Sequence, residues 1–321
     1  MKKILLLGLA ALSALICTEL IVAKVIGYPT YGVEMKMMGI WGLDQPVNIF
    51  KPFSKYWTVE GGNKVYRRNN IGLPGINIKI SKDSQFIFVL GNSYIEAYQL
   101  PPEKIAVSLM QQKLQKQYPE FQVLNLGASG HDPYDLYWRS NYFEQIYSPF
   151  FVILVVEAFP TKWLARYKYP LDFSTKDIVP KPYHSKVKDF ARLVVNRSAF
   201  FNLLSEFLKE KDNDIQERAP KVPLVNNKQK EIDGKMEAAF FECLKNFKLK
   251  YGERFSVISI IDNEGENSKI MNFCESNRIQ MVKRNLYQRG NRIDGKGHLN
   301  AKGNSLLAES LYEAFVKYQK K

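Results

Sequence analysis

The sequence predicts an α/β fold: a parallel sheet with helices on both faces. Three observations carry that expectation. Short, almost wholly apolar runs recur along the chain, helical patterns separate them, and the first two runs end in small or polar residues rather than in hairpin turns.

Phe86 to Leu90 is a continuous apolar run of the kind buried on both faces of a sheet, and it stops at Gly91-Asn92-Ser93. Pro101-Pro102-Glu103 then opens a helix whose apolar positions Ile105, Leu109 and Leu114 recur at helical spacing up to Tyr118-Pro119. Phe121 to Leu126 is the second strand, ending at Gly127-Ala128-Ser129-Gly130, and Asp132-Pro133 starts a helix over Tyr134 to Ile146. Phe150 to Val156 is seven apolar residues, four of them β-branched, and is the strongest strand. Phe255 to Ile261 and Ile279 to Val282 repeat the strand pattern, and Ala301 to Gln319 is a closing amphipathic helix.

Two regions stand outside this alternation. Residues 24–83 form a lead-in of short strands and turns that ends in Asn69-Asn70-Ile71-Gly72-Leu73-Pro74-Gly75. Residues 160–235 read as an insertion in the α/β unit of residues 84–321. It contains an amphipathic helix from about Val187 to Lys209, whose apolar positions Phe190, Val194, Phe201, Leu204 and Leu208 are expected to pack on the main domain.

The N-terminus bears on the compartment. Met1, Lys2 and Lys3 precede a run from Ile4 to Ala23 that is apolar except for Ser13, Thr18 and Glu19, so residues 1–23 read as a signal anchor or a signal peptide. Ile21-Val22-Ala23 is a poor cleavage site, which favours an uncleaved anchor with the domain on the extracytoplasmic side. Ile16 before Cys17 argues against a lipoprotein signal. Three cysteines are too few for a disulfide framework; Cys243 and Cys274 read as two buried thiols rather than a bridge. The formal charge of +14 is spread over helices and loops and is not interleaved with aromatics, which points to anionic lipid or acidic polysaccharide rather than nucleic acid.

Ligands collect at the carboxyl ends of parallel strands. Ser93 follows a glycine at such an end, so its hydroxyl is presented at a strand-to-helix turn with its own amide available to a developing oxyanion. Gly127 stands at the equivalent end of the next strand. His298, one of three histidines, sits in Asp294-Gly295-Lys296-Gly297-His298 just before the last helix, and Asp294 is a candidate to orient its ring. The same residues also read as a turn and a polar helix start. His131 and His184 lack metal-ligand spacing, so no metal is expected.

Taken together, Phe88-Val89-Leu90-Gly91-Asn92-Ser93, Val123-Leu124-Asn125-Leu126-Gly127-Ala128-Ser129-Gly130, and Asp294 to Asn300 followed by Ala301-Lys302-Gly303 resemble the SGNH hydrolases, the GDSL-type lipases and esterases. The resemblance implies a flavodoxin-like three-layer fold and acyl hydrolysis or transfer without metal or cofactor. It implies Ser93 as nucleophile, His298 as base, Asp294 as the orienting acid, and the amides of Ser93 and Gly127 as oxyanion donors.

Three departures are visible. Asn92 stands where an aspartate is usual, and Asp294 precedes His298 by four residues rather than three. Val155-Val156-Glu157-Ala158-Phe159-Pro160-Thr161 lacks the asparagine that supplies a further oxyanion donor; Thr161 is the substitute considered. The expected function is a serine esterase or acyltransferase acting on an ester, with O-acetyl groups of an envelope glycan as the candidate. The rival is a catalytically weak domain of the same fold that binds glycan or a protein. An α/β-hydrolase is disfavoured because Gly91-Asn92-Ser93 continues with Tyr94-Ile95, not with the glycine of a nucleophile elbow.

Overall fold

The computed structural model describes residues 2–22, 33–40, 43–58, 60, 62, 64–157, 198, 200, 201, 204, 227–293 and 297–320; for 2–6, 33–48, 57, 227–233 and 235 it describes the backbone alone. In chain order, helix α1 (Lys2–Leu20) precedes two antiparallel hairpins, β1 (Val33–Ile40) with β2 (Leu43–Phe50) and β3 (Lys55–Thr58) with β4 (Lys64–Arg67). The α/β unit follows: β5 (Gln85–Leu90), α2 (Ser93–Glu96), α3 (Ala106–Leu114), β6 (Phe121–Asn125), α4 (Pro133–Glu144) and β7 (Pro149–Val156). It continues with α5 (Asn227–Tyr251), β8 (Phe255–Ser259), α6 (Glu264–Ser276), β9 (Gln280–Lys283) and α7 (Ala301–Gln319).

The sheet has the order β6-β5-β7-β8-β9 and every pair is parallel. That is the doubly wound order of flavodoxin-like folds, with the first strand of the unit between the second and third. Each central strand sends alternate side chains to opposite faces. Phe86, Phe88 and Leu90 of β5 and Val152, Leu154 and Val156 of β7 join the core that includes α4, α5 and α6. Ile87 and Val89, with Phe151, Ile153 and Val155, join the core under α3 and α7. A strand buried on both faces has no room for polar alternation, which is why these segments read as unbroken apolar runs.

The expected strands and the last helix lie where the pattern put them, within a residue or two at most ends. The helix after Pro101 differs. It is broken into a 3₁₀ turn (Pro102–Lys104) and α3, because Ile105 is extended (φ −78°, ψ 151°) and buries its side chain with Ala97 and Leu100. Cys243 and Cys274 are buried free thiols.

The lead-in is tied firmly to the sheet. The Asn69 side chain accepts from the amides of Ile71 and Leu73 and donates to the carbonyl of Ile76, so one amide group takes the place of backbone pairing in that loop. Arg68 is buried, with its guanidinium over the rings of Phe50, Tyr56 and Tyr98 and a hydrogen bond to the Tyr98 hydroxyl at 3.0 Å. Tyr98 directly follows the residue that ends α2, so the β3–β4 hairpin is fastened beside the turn that begins at Ser93.

Most of the insertion, including Phe190, Val194 and Leu208, lies outside the described residues. Phe201 and Leu204, expected in the core, are exposed. The Ser198 hydroxyl and the Phe200 amide donate to the Glu19 carboxylate near the end of α1, an acceptor that periodicity does not reveal. On α1, Leu7, Leu9, Leu12, Leu15 and Ile16 are exposed. Among the described residues no helix is long and apolar enough to cross a membrane.

Phe247 of α5 is fully buried, stacked on Phe255 of β8 at 5.2 Å and edge-on to Tyr137 at 5.1 Å. Phe247→Ala is expected to lower stability by about 3–5 kcal/mol, the cost of a large aromatic lost from a packed core. Urea denaturation followed by circular dichroism checks this; a midpoint within error of the parent would mean that α5 does not cover the sheet.

Candidate active site

Ser93 is the first residue of α2, a single turn at the end of β5. Asn92 caps it, its side-chain oxygen accepting from the Tyr94 amide at 3.2 Å, and Ala97 ends it in the left-handed region (φ 50°). The turn lies close against its surroundings. A Cβ on Gly91 would strike the Ile95 side chain, and one on Gly127 would meet the Glu96 amide nitrogen and the Ile95 carbonyl carbon, so both positions need glycine for close approach rather than for backbone conformation.

His298 reaches the turn from the far end of the chain. Its loop is pinched at the base by Ile293 N to His298 O at 2.9 Å and by the bridge between Arg292 and Leu299. Asn300 caps α7 immediately afterwards, accepting from the Gly303 amide. The Gln99 side chain donates to the Leu299 carbonyl at 3.2 Å, and Asn304 accepts from the Ala106 amide at 3.0 Å, so the loop is bound to the segment that follows the Ser93 turn. The imidazole packs edge-on against Tyr94, with centroids 5.5 Å apart. The residue next to Ser93 therefore touches the ring.

The acid that meets the imidazole is Glu60, in the β3–β4 turn. One carboxylate oxygen contacts His298 Nδ1 and the other accepts from the His298 amide at 2.9 Å. Asp294, assigned that role from the sequence, lies outside the described residues. In the described site Nδ1 is taken by Glu60, which leaves Nε2 as the nitrogen free to receive a proton. Glu60 was missed because it lies 238 positions from His298 in a segment without motif. The only sequence signal would have been an acid in a Gly-rich turn, Glu60-Gly61-Gly62, which is weak.

The electrostatics follow from this pairing. Burial disfavours the charge on both partners, but the two hydrogen bonds and the attraction of opposite charges outweigh it, so Glu60 is held below the ordinary carboxylate range and His298 is raised above the ordinary imidazole range. Glu157, the first residue beyond β7, behaves oppositely. Burial pushes its carboxyl up to about 7, against the hydrogen bond from Asn92 and the charges of His298 and Arg292.

The second block contributes differently from expectation. The Gly127 amide, expected to face an oxyanion, donates instead to the Asn125 side chain at 3.0 Å, because Asn125 bridges from the Ile95 carbonyl to that amide. Its neighbours are also engaged: Ala128 N with Gly91 O, and Ser129 N with the Glu96 carboxylate. The Ser93 amide stands at the open start of α2, where helix geometry supplies no intrahelical acceptor. Thr161 and His184 lie outside the described residues. Among the described residues no three His, Cys, Asp or Glu side chains gather as a metal site.

Neither a protein-family pattern nor a curated protein sequence matches this chain. Among solved structures it is similar to the psychrotrophic esterase EstA from Pseudoalteromonas sp., at 14% identity and a TM-score of 0.44 over 74% of this chain and 100% of that one. It is also similar to the acetyl xylan esterase AlAXEase, at 16% identity and a TM-score of 0.40 over 71% and 98%. A third is Axe2, an acetylxylan esterase from Geobacillus stearothermophilus, at 13% identity and a TM-score of 0.39 over 74% and 96%.

Because Glu60 holds the His298 charge in place, Glu60→Gln should lower the His298 pKa, while Asp294→Asn should leave it near the parent value. Titration of the imidazole signals by NMR, simplified by a total of three histidines, distinguishes the two. A lowered His298 value in Asp294→Asn and none in Glu60→Gln would return the orienting role to Asp294.

Proposed function

We propose that this chain is a serine esterase or acyl-transferring enzyme of the SGNH type, with Ser93 as nucleophile, His298 as base and Glu60 orienting the imidazole. One observation carries the reading: His298, fixed through Nδ1 and its amide by Glu60, lies against the turn that begins at Ser93. A serine hydroxyl needs an adjacent base to become a nucleophile, and an imidazole acts in that role when a carboxylate holds its tautomer. Ser93 Oγ attacks the ester carbonyl carbon while its proton passes to His298 Nε2. Collapse of the tetrahedral intermediate expels the alcohol, which takes that proton, and water or a second hydroxyl then removes the acyl group by the same route.

Export and anchoring belong to this proposal. Lys2 and Lys3 at the start of α1, ahead of its apolar run with leucines exposed along it, support a membrane attachment through residues 4–23, and the +14 charge supports an anionic surface or acidic polysaccharide nearby. O-acetyl groups of an envelope glycan are the substrate class this setting favours. The engaged Gly127 amide favours the second reading, a binding module with little turnover.

A fluorophosphonate probe separates the two, since an activated serine reacts with it. The parent protein is expected to label and to hydrolyse p-nitrophenyl acetate; Ser93→Ala should do neither, and Glu60→Gln should lose on the order of 10²–10⁴ in rate. Labelling that survives Ser93→Ala would move the nucleophile elsewhere. For the anchor, N-terminal sequencing of membrane-derived protein should find the apolar segment still attached, and a start near Lys24 would overturn that part alone.

A further inference from the structure

Among the described residues the Gly127 amide is engaged by Asn125, and the third strand of the unit, β7, is followed by an acid. β7 lies beside β5, with Leu154 opposite Leu90, so the chain leaving β7 at Glu157 stands next to the chain leaving β5 at Gly91-Asn92-Ser93. Burial raises the Glu157 carboxyl, and the Asn92 side chain is the largest influence opposing that rise. The carboxyl oxygen Oε2 is buried without a hydrogen-bond partner among the described residues. A buried oxygen left without a partner is costly unless something arrives to meet it.

The groups around this carboxyl are Asn92 and Tyr94 from the β5 end, His298 and Arg292 from the last loop, and Tyr287, whose hydroxyl donates to the Glu157 carbonyl at 2.9 Å. Glu60 lies behind His298, on its Nδ1 side. Arg292 does not neutralise Glu157 by a salt bridge; its Nε donates to the Gly297 carbonyl at 2.8 Å. Burial raises the carboxyl to about 7 in spite of these polar neighbours, and the neutral acid has an O–H to donate.

We propose that Glu157, as the neutral carboxylic acid, donates a hydrogen bond from Oε2 to the oxyanion formed when Ser93 attacks, in the role that an asparagine would otherwise fill. This rests on the serine-esterase reading. As the Ser93 Oγ–carbon bond forms, the carbonyl π pair moves to oxygen and the serine proton passes to His298. The Glu157 proton is shared with that oxygen and not transferred, and it remains on Glu157 when the carbonyl re-forms. Ionised Glu157 would instead repel the oxyanion and hold His298 in its charged form.

The sign of the pH dependence follows. His298 must be neutral to accept a proton, so the rate rises with pH through its titration. Glu157 must be protonated, so the rate falls as pH rises through its own, and because the two groups interact the limbs report the pair. Glu157→Gln keeps a donor on the same stem and cannot ionise, so it should abolish the alkaline limb and stay within about threefold of its maximum up to pH 9. Glu157→Ala should lose about 10²–10³ in kcat at every pH, with little change in KM.

The experiment is the profile of kcat and kcat/KM between pH 5 and 9 for parent, Glu157→Gln and Glu157→Ala on p-nitrophenyl acetate, with Ser93→Ala as the background. An alkaline limb that persists in Glu157→Gln, or a Glu157→Gln protein as slow as Glu157→Ala, overturns the proposal while leaving the Ser93 assignment intact. A parent that neither turns over nor labels with fluorophosphonate overturns both.

Discussion

The contact between Glu60 and His298 is the constraint on which the site depends. It joins a turn in the lead-in to a loop near the end of the chain, and it uses both the imidazole and the amide of His298, so ring position and backbone position are set by one carboxylate. Its strength comes from partial burial. In full water such a pair contributes little, whereas in a half-enclosed site the hydrogen bonds outweigh the loss of hydration on both partners. Arg68, enclosed by Phe50, Tyr56 and Tyr98, fastens the β3–β4 hairpin that carries Glu60 to the segment after α2.

The sheet supplies the rest of the placement. Two apolar faces, each closed by its own helices, fix where β5, β6 and β7 end, and strand ends in register bring Ser93, Gly127 and Glu157 to one side. Glycine at 91 lets the Ser93 turn fold back on itself, and glycine at 127 lets the loop after β6 touch that turn. Closeness then has a consequence for chemistry: Asn125, caught between the loops, takes the Gly127 amide. The same packing that brings these strand ends together thus engages the Gly127 amide, and the proposal for Glu157 starts from that engagement.

Much of this was legible in the sequence. Strands buried on both faces are short apolar runs, and Gly91-Asn92-Ser93 and Gly127 mark strand ends because only small residues tolerate the approach. The turn-rich stretch from Asn69 to Gly75 was visible as loop, though not that the Asn69 side chain organises it. Glu157 was visible only as one residue of a segment without asparagine. The upward shift of its carboxyl depends on how deeply the end of β7 is enclosed, and no local pattern encodes that depth.

The sequence by itself determined the α/β class, the positions of the five sheet strands, the serine turn and the histidine before the last helix, because each is written in local periodicity or in a few adjacent residues. Only the tertiary structure decided which acid reaches His298, which amides are engaged and that burial raises the Glu157 carboxyl. Those depend on contacts between segments tens to hundreds of residues apart, where charge, burial and competing hydrogen bonds act together and none leaves a mark on its own neighbours in the chain.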